Sequence, residues 1–433
     1  MNWILTGLLA GLCLWMLVSA GTRSGKLYEF PFLAAAMMFS FILPQLPGLA
    51  VDQFMPAGLY AKTVGFTVLC LAMCRLGWMP NRRPVMRAFQ WQFSETRLLL
   101  ASAILSAIGS YFYYKLSEIP IEMAVATMFT GYYVIISFFS EFLPYGLAIA
   151  LLCFFNRRSF PAVAIIAVDL MFYIEQIMRT GKRGETTELI ILFALAIWFK
   201  WRRAVPHFLA LAGILGGTLA LTSTADYRQM NVKNDGPALS KLMEISVLDN
   251  FERILTAGGE EMRNAMYRIH MVDRNQSFDY GAFHWDTLVW NYIPAQVVGK
   301  PLKDSFMIGI EDQFDRAYNK PTGTTETGMT DAYASFWYFG AFKFFIIAYF
   351  LSRLYGAAMA GHTAPQLFYM LLAVSSMHTI SHYTQWILSS WVQMVFFLIP
   401  ALLFARIRKP AAQPSAVATM TPPPAVAAMG RVL

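Results

Sequence analysis

The sequence predicts an all-α, polytopic integral membrane protein with about eleven transmembrane helices and one large, mainly helical loop domain. Of its 433 residues, 57% are hydrophobic and only 14% are charged, whereas soluble proteins carry about 25% charged residues. Apolar runs recur along the chain, each long enough to cross a hydrocarbon core of about 30 Å as a helix. We predict spans near 3–20, 28–45, 58–78, 98–116, 131–155, 160–178, 188–200, 205–222, 332–352, 365–381 and 387–405.

The loops between these spans predict a topology, because Lys and Arg concentrate on the cytoplasmic side of a membrane. Basic residues mark alternate loops: Arg23, Lys26, Arg82, Arg83, Arg87, Arg157, Arg158, Lys200, Arg202, Arg203, Arg353, Arg406, Arg408 and Lys409. These loops should be cytoplasmic. The predicted organisation is a bundle at 1–222, an outer loop domain at 223–331, three helices in 332–405 and a disordered cytoplasmic tail at 406–433.

The distribution of charge along the chain indicates which classes of partner the protein binds. The segment 223–331 holds 16 of the 26 acidic residues but only 11 of the 34 basic ones, so the rest of the chain is strongly basic. The formal net charge of +8 therefore indicates contact of cytoplasmic loops with anionic membrane lipid, and no nucleic-acid partner is predicted.

Several kinds of chemistry are disfavoured by the sequence. The four cysteines, Cys13, Cys70, Cys74 and Cys153, lie in apolar spans and are predicted core residues rather than disulfide partners or metal ligands. The sequence has no Walker loop, no Gly-rich dinucleotide fingerprint and no Gly-x-Ser-x-Gly elbow, which argues against nucleotide-driven and serine-hydrolase chemistry.

One loop does not follow the charge rule. The predicted alternation puts Arg179, Lys182 and Arg183 on the outer side, where cations are not favoured. Either a helix is miscounted or the cations are kept because a ligand needs them; a single loop Arg commonly contacts a lipid phosphate. The glycines on either side, Gly181 and Gly184, favour a functional role for Arg183.

The loop domain should fold, since a structureless loop of this length is uncommon. Residues 239–256 and 258–278 are predicted amphipathic helices, and the second places Arg263, Tyr267, His270 and Arg274 along one cationic stripe.

An aromatic stretch follows at 280–306. Its Trp285, Trp290 and Tyr292 fit either a membrane-interface belt or stacking on sugar rings. A Gly- and Thr-rich turn in 319–345 then carries Glu326 towards the next helix, and the backbone N–H groups of such a turn favour anions.

Six ionisable residues fall at predicted membrane depth, where charge is costly and each residue is either a functional candidate or part of an internal ion pair. They are Glu141, Asp169, Glu175, Lys343, His378 and His382. The two histidines share one helical face at the spacing of zinc sites but have no evident third ligand. We interpret them as a hydrogen-bonded pair lining a cavity.

Three short motifs resemble those of one family. The Gly-x-Arg-Gly turn at 181–184 resembles the motif of the O-antigen polymerase and ligase superfamily. The stretch "IPAQVVGKP" at 293–301 is similar to the Ile-Pro to Lys-Pro stretch of Wzy-type oligosaccharide repeat-unit polymerases, and "TGMTDAYASFWYFG" at 327–340 resembles the entry to their next helix. Ala295 stands where members often carry Arg, so that cationic role would pass to Lys300, Lys303 or a helix Arg.

The resemblance implies polymerisation of oligosaccharides linked to undecaprenyl pyrophosphate, which serve as donor and acceptor, at the periplasmic face of the bacterial inner membrane. It implies no metal or other cofactor, and a chain-length regulator and a flippase as candidate protein partners. The implied catalytic residues are Arg183, Glu326, Arg263 and His270; the implied pyrophosphate- or glycan-binding residues are Arg268, Arg274, Lys300, Lys303, Trp285, Tyr292 and His284.

Two alternatives stay open. An O-antigen ligase would share the fold and the arginines while delivering glycan to lipid A core, although the His-Asn setting of ligases has no match in the sequence. A proton-coupled secondary transporter would use Glu141, Asp169 and Glu175 as a relay, yet the paired halves typical of transporters are not evident.

Overall fold

The structure is a computed structural model that describes residues 1–21, 24–79, 91–126, 132–233, 243–309, 321 and 324–407. The described residues form helices and no strands. The first eleven helices are α1 Asn2–Gly21, α2 Phe30–Met37, α3 Leu46–Ala50, α4 Leu59–Gly77, α5 Glu95–Ser117, α6 Ile121–Ala126, α7 Tyr132–Ser140, α8 Phe142–Asn156, α9 Phe160–Thr180, α10 Arg183–Trp201 and α11 His207–Lys233. The remaining ten are α12 Val247–Ala257, α13 Glu260–Asn275, α14 Ala282–Tyr292, α15 Ala295–Val298, α16 Lys300–Ser305, α17 Gly328–Phe336, α18 Phe342–Met359, α19 Thr363–Ser381, α20 Gln385–Phe396 and α21 Leu398–Ala405.

Eight of the described helical stretches are long and apolar enough to cross a membrane. They are Asn2–Gly21, Phe30–Ala50, Leu59–Gly77, Glu95–Ser117, Tyr132–Asn156, Phe160–Thr180, Gly328–Met359 and Gln385–Ala405. The two halves of α11, His207–Ala220 and Thr222–Lys233, meet at 54° and make a ninth span if they are counted as one. The predicted class, a helical membrane protein, is confirmed, with eight or nine spans where the sequence predicted about eleven.

The two remaining predicted spans, 188–200 and 365–381, lie in α10 and α19, which are helices of 19 residues each. Neither is among the apolar spans, because both carry many polar side chains. In α19, 17 of the 19 residues are buried, and the helix packs against α2, α8, α10, α18 and α20. Protein rather than lipid surrounds α19, so its polar side chains are tolerated.

The segment 223–331 packs directly on the other helices. Its two predicted amphipathic helices appear as α12 and α13, of which α13 packs on α4 and α17. The side-chain oxygen Oε1 of Gln45 accepts a hydrogen bond from the backbone N–H of Met262 at 2.9 Å, and Gly259 lies so close to Gln45 that a Cβ would not fit. These contacts fix the start of α13 against the bundle.

Candidate functional site

The Gly-x-Arg-Gly turn joins α9 to α10. Gly181 ends α9 with φ +58, a left-handed conformation that favours glycine. A Cβ at Gly181 would lie 2.7 Å from the ring of Tyr227, and one at Gly184 would lie 3.2 Å from the ring of His378. Glycine is therefore required at position 181 and closely packed at position 184, and the turn holds Arg183 between α11 and α19.

The second half of α11 is bound to the end of α9. Tyr227 Oη donates a hydrogen bond to the carbonyl of Met178 at 2.6 Å, and Asn231 Nδ2 donates to the carbonyls of Met178 and Arg179 at 3.1 and 3.0 Å. These bonds satisfy carbonyl groups that a helix C-terminus leaves without partners. They also bring Arg228, the residue after Tyr227, alongside the turn.

Arg183 and Arg228 form an arginine pair. Their positive charges are close enough to oppose each other, and Glu261, in the first turn of α13, attracts both. Burial raises the pKa of Glu261, while the charge of Arg183 acts in the opposite direction. Arg228 also interacts with Glu185. Carboxylates thus stabilise two like charges in a half-buried place.

The arginine pair keeps hydrogen-bonding capacity. The Nε atom of Arg228 is buried and has no hydrogen-bond partner within the described ranges, and leaving a buried donor unpaired is costly. An anionic group would satisfy that donor. The guanidinium of Arg183 lies over the ring of Phe41 at 5.5 Å.

The histidine pair on α19 borders this site. The charge of Arg183 reaches both His378 and His382. The two rings are 5.4 Å apart, Trp386 packs against both, and Nδ1 of His382 is 2.8 Å from Oγ of Ser381. In the described part of the chain, no group of three or more His, Cys, Asp or Glu side chains is arranged to hold a metal ion.

A carboxyl cluster lies on the other side of the turn. Its members Glu141, Asp169, Glu185 and Glu188 all lie near enough to Tyr113 for their charges to act on its hydroxyl group. Two are hydrogen-bonded within the bundle: Ser106 donates to Asp169 at 2.8 Å, and Tyr173 donates to Glu188 at 2.9 Å. The third acid predicted at membrane depth, Glu175, is exposed and faces the charge of Arg179.

Arg179, Lys182 and Arg183, the three cations of the loop that does not follow the charge rule, have three different environments. Arg179 donates hydrogen bonds to the carbonyls of Leu116, at 3.0 Å, and Ile119, so it ties α9 to the end of α5. The charge of Lys182 faces Glu141 and Glu185. Arg183 alone belongs to the arginine pair.

Four predicted site residues, Arg263 from the catalytic set and Lys303, Trp285 and Tyr292 from the binding set, hold the segment 223–331 in place. Arg263 forms an ion pair with Asp52 at 2.7 Å and donates to the carbonyl of Ala257 at 2.9 Å. Lys303 Nζ donates to the carbonyl of Trp290 at 2.8 Å and lies 4.5 Å from its ring centroid. Trp285 and Tyr292 donate to backbone carbonyls of Phe306 and Ser389.

The other predicted residues are spread over the segment. Lys300 is exposed at the start of α16, and Arg268 is half-buried in α13. Glu326 is buried, with 5% of its surface exposed, just before α17. His270 and Arg274 line a cavity together with the aromatic residues Phe336–Phe339.

His284 is part of a buried network with α17, α18 and α20. Lys343 Nζ lies 2.6 Å from Nε2 of His284 and can only donate, so the ring proton is on Nδ1, 2.8 Å from Oε1 of Gln385. Lys343 is also 3.8 Å from Asp331, which accepts two hydrogen bonds from Thr384. Burial, helped by the charge of Lys343, lowers the pKa of His284 to about 4, so the ring is neutral.

Three residues of the arginine site were not predicted from the sequence. Arg228 follows the predicted span 205–222, Glu185 precedes the span 188–200, and Glu261 lies near the start of a predicted amphipathic helix. Arg228 carried one usable signal, because it is a further cation at the predicted outer end of a span. No known protein family, curated protein or solved structure matches the chain.

Proposed function

We propose that the chain polymerises lipid-linked oligosaccharide repeat units at the periplasmic face of a bacterial inner membrane. The growing glycan moves from undecaprenyl pyrophosphate to a hydroxyl group of another lipid-linked repeat unit. The observation that supports this proposal is the arginine pair of Arg183 and Arg228, half-buried next to Glu261 and bordered by the histidines of α19.

The arginine pair fits the leaving group of this reaction. The acceptor oxygen forms a bond to the sugar C1 atom, the C1–O bond to pyrophosphate breaks, and the bonding electrons leave with the pyrophosphate. Guanidinium groups remain charged and match phosphate geometry with two parallel hydrogen bonds. In a buried site, stabilisation of this developing charge is commonly the largest catalytic contribution.

The acceptor hydroxyl must lose its proton as the new bond forms, and Glu326 is our candidate base. It is buried directly before α17. The other candidates fit less well: His284 already accepts from Lys343 at Nε2, and His270 lines a separate cavity with Arg274.

The test is Arg183→Ala, with Arg183→Lys beside it, in a cell whose surface polysaccharide depends on this chain and is displayed as a ladder on a gel. Equal membrane expression is confirmed first. Collapse of the ladder to one repeat unit that still reaches the surface lipid is the expected result. An unchanged ladder overturns the proposal, and loss of even the single attached unit indicates the O-antigen ligase instead.

A second candidate function is proton-coupled transport, which the carboxyl cluster around Tyr113 favours because buried acids form proton relays in transporters. Dissipating the proton gradient across vesicles that contain the purified chain separates the two functions. Polymer formation from lipid-linked repeat units continues if the chain is a polymerase, whereas substrate uptake stops if it is a transporter.

A further inference from the structure

A cavity of about 950 Å³ opens beside α4 and α13. Six aromatic side chains line it: Phe278, Tyr280, Phe336, Trp337, Tyr338 and Phe339. Most of these rings remain exposed, with 49% of Trp337 and 81% of Phe339 accessible. Ligand pockets commonly have volumes of about 300–1,000 Å³ and aromatic walls with a few polar groups, so this cavity has the size and lining of a binding site.

Two cations, Lys62 and Arg274, and one histidine, His270, also line the cavity, and they differ in their pairing. Lys62 forms an ion pair with Asp273, whose other oxygen accepts a hydrogen bond from Tyr333 at 2.7 Å. Over the stretches that the structure describes, His270 and Arg274 have neither a hydrogen-bond nor an ion-pair partner. Arg274 therefore offers the cavity an uncompensated positive charge.

The backbone around the cavity is held in unusual conformations. In the part of the chain that the structure describes, four residues other than glycine have positive φ, and three of them line this cavity: Gln276 at +50, Tyr280 at +49 and Trp337 at +53. Positive φ is uncommon for bulky side chains and costs energy, and such strain concentrates at binding and active sites.

Backbone contacts fix these strained residues in place. The N–H groups of Asp279 and Tyr280 donate to the carbonyls of Ala334 and Ser335 at 3.1 and 3.2 Å. Gly340 packs so closely on the carbonyl of Ala332 that no Cβ would fit. The aromatic rings are thus held in position before a ligand binds, which reduces the conformational entropy that is lost on binding.

We infer that this cavity binds an anionic saccharide, with apolar faces of the sugar rings stacked on the aromatic side chains and the acidic group on Arg274. Aromatic rings offer rigid apolar surface, and a guanidinium pairs with a carboxylate through two hydrogen bonds. That this saccharide is the acceptor of glycosyl transfer rests on the proposed function; the binding itself does not.

An anionic lipid headgroup shares the acidic chemistry, because aromatic residues and arginine also occur at membrane interfaces. The fixed placement of these rings around an open recess favours the saccharide, since an interface belt requires no such recess. The test therefore includes both ligands.

The experiment uses the purified full chain in nanodiscs of phosphatidylcholine and measures the binding of trigalacturonate by calorimetry, with neutral maltotriose as the comparison. Arg274→Ala and Phe339→Ala are expected to weaken trigalacturonate binding about tenfold or more. The matched controls Arg157→Ala and Phe54→Ala alter an exposed arginine and an exposed phenylalanine elsewhere and should bind as the unaltered chain does.

The result expected is saturable binding of trigalacturonate, weaker binding of maltotriose, and sensitivity to Arg274→Ala and Phe339→Ala alone. Absence of saturable binding, or equal binding of the two sugars, overturns the inference. Loss of trigalacturonate binding in nanodiscs that contain phosphatidylglycerol also overturns it, because the cavity would then be a lipid site. Arg183→Lys should leave trigalacturonate binding unchanged, so failure of the proposed polymerase activity is distinguishable from failure of this site.

Discussion

The arginine pair and the aromatic cavity both present cations, but their surroundings differ. Arg183 and Arg228 are half-buried where α11, α13 and α19 approach each other, and they lie near the carboxylates of Glu261 and Glu185. Arg274 in the cavity is exposed, and it has no hydrogen-bond or ion-pair partner among the residues that the structure describes. Burial makes electrostatic interactions stronger, so the first region fits stabilisation of a developing charge and the second fits ligand capture.

The largest effect should come from the arginine pair. Arg183→Lys and Arg228→Lys each remove a guanidinium fork, and each should lower the rate of polymer formation about 10²- to 10³-fold, as loss of a transition-state donor does. The double variant should be little worse than either single one, because residues that act as a unit are not additive. Turnover of a purified lipid-linked repeat unit measures this. Fully additive losses would show that the two arginines act separately.

The glycine that orients the pair should come next. Gly181→Ala places a Cβ 2.7 Å from the Tyr227 ring at φ +58, so we expect the free energy of unfolding to fall by about 1–3 kcal/mol. Thermal unfolding in detergent measures this change, and the ladder should shorten with it. Gly213→Ala is the matched control, because no atom lies within 4 Å of a Cβ there. Equal stability of the two variants would contradict the close packing of the turn.

Acid should weaken the network around His284, which is a third place where a cation is enclosed. The pKa of His284 is lowered to about 4 from 6.5, so the unfolded chain binds a proton that the folded chain excludes. Stability that is fully present above pH 6.5 is lost as the pH falls towards 4, at no more than about 1.4 kcal/mol per pH unit for one proton.

The His284→Gln variant isolates this contribution. Its glutamine does not titrate, so its melting temperature should fall less steeply than that of the unaltered chain between pH 6.5 and 4. Identical slopes for the two proteins would show that His284 does not contribute to the acid sensitivity.

The smallest effect should come from Arg263. Its ion pair with Asp52 is partly exposed, with 24% and 11% of the two side chains accessible, and such pairs contribute about 0–1 kcal/mol. Arg263→Lys preserves the charge, so polymer length and melting temperature should stay almost unchanged. A loss as large as that of Arg183→Lys would place Arg263 in the catalytic site after all.

The sequence predicted the helices better than the site. Apolar runs identify lipid-facing spans, but α19 is enclosed by protein and is therefore polar enough to fall outside the apolar spans of the structure. The glycines that flank Arg183 predict a functional role for it, and the structure shows that these glycines pack closely on Tyr227 and His378.

The residues that lie next to Arg183 could not be predicted from the spacing of residues along the sequence. Arg263, His270 and Arg274 share a predicted helical stripe, yet α13 presents Arg263 to Asp52 and directs the other two to the aromatic cavity. Arg228 reaches Arg183 only because the end of α11 packs against the end of α9. Such tertiary contacts leave no periodic signal in the sequence.

The most direct measurement of the central claim is the surface-polysaccharide ladder of Arg228→Lys beside that of Arg274→Lys, at equal membrane expression. Both substitutions keep a positive charge, but only the first alters the half-buried arginine pair. We predict that Arg228→Lys collapses the ladder towards a single repeat unit, while Arg274→Lys leaves most of it intact. A full ladder from Arg228→Lys would contradict the account.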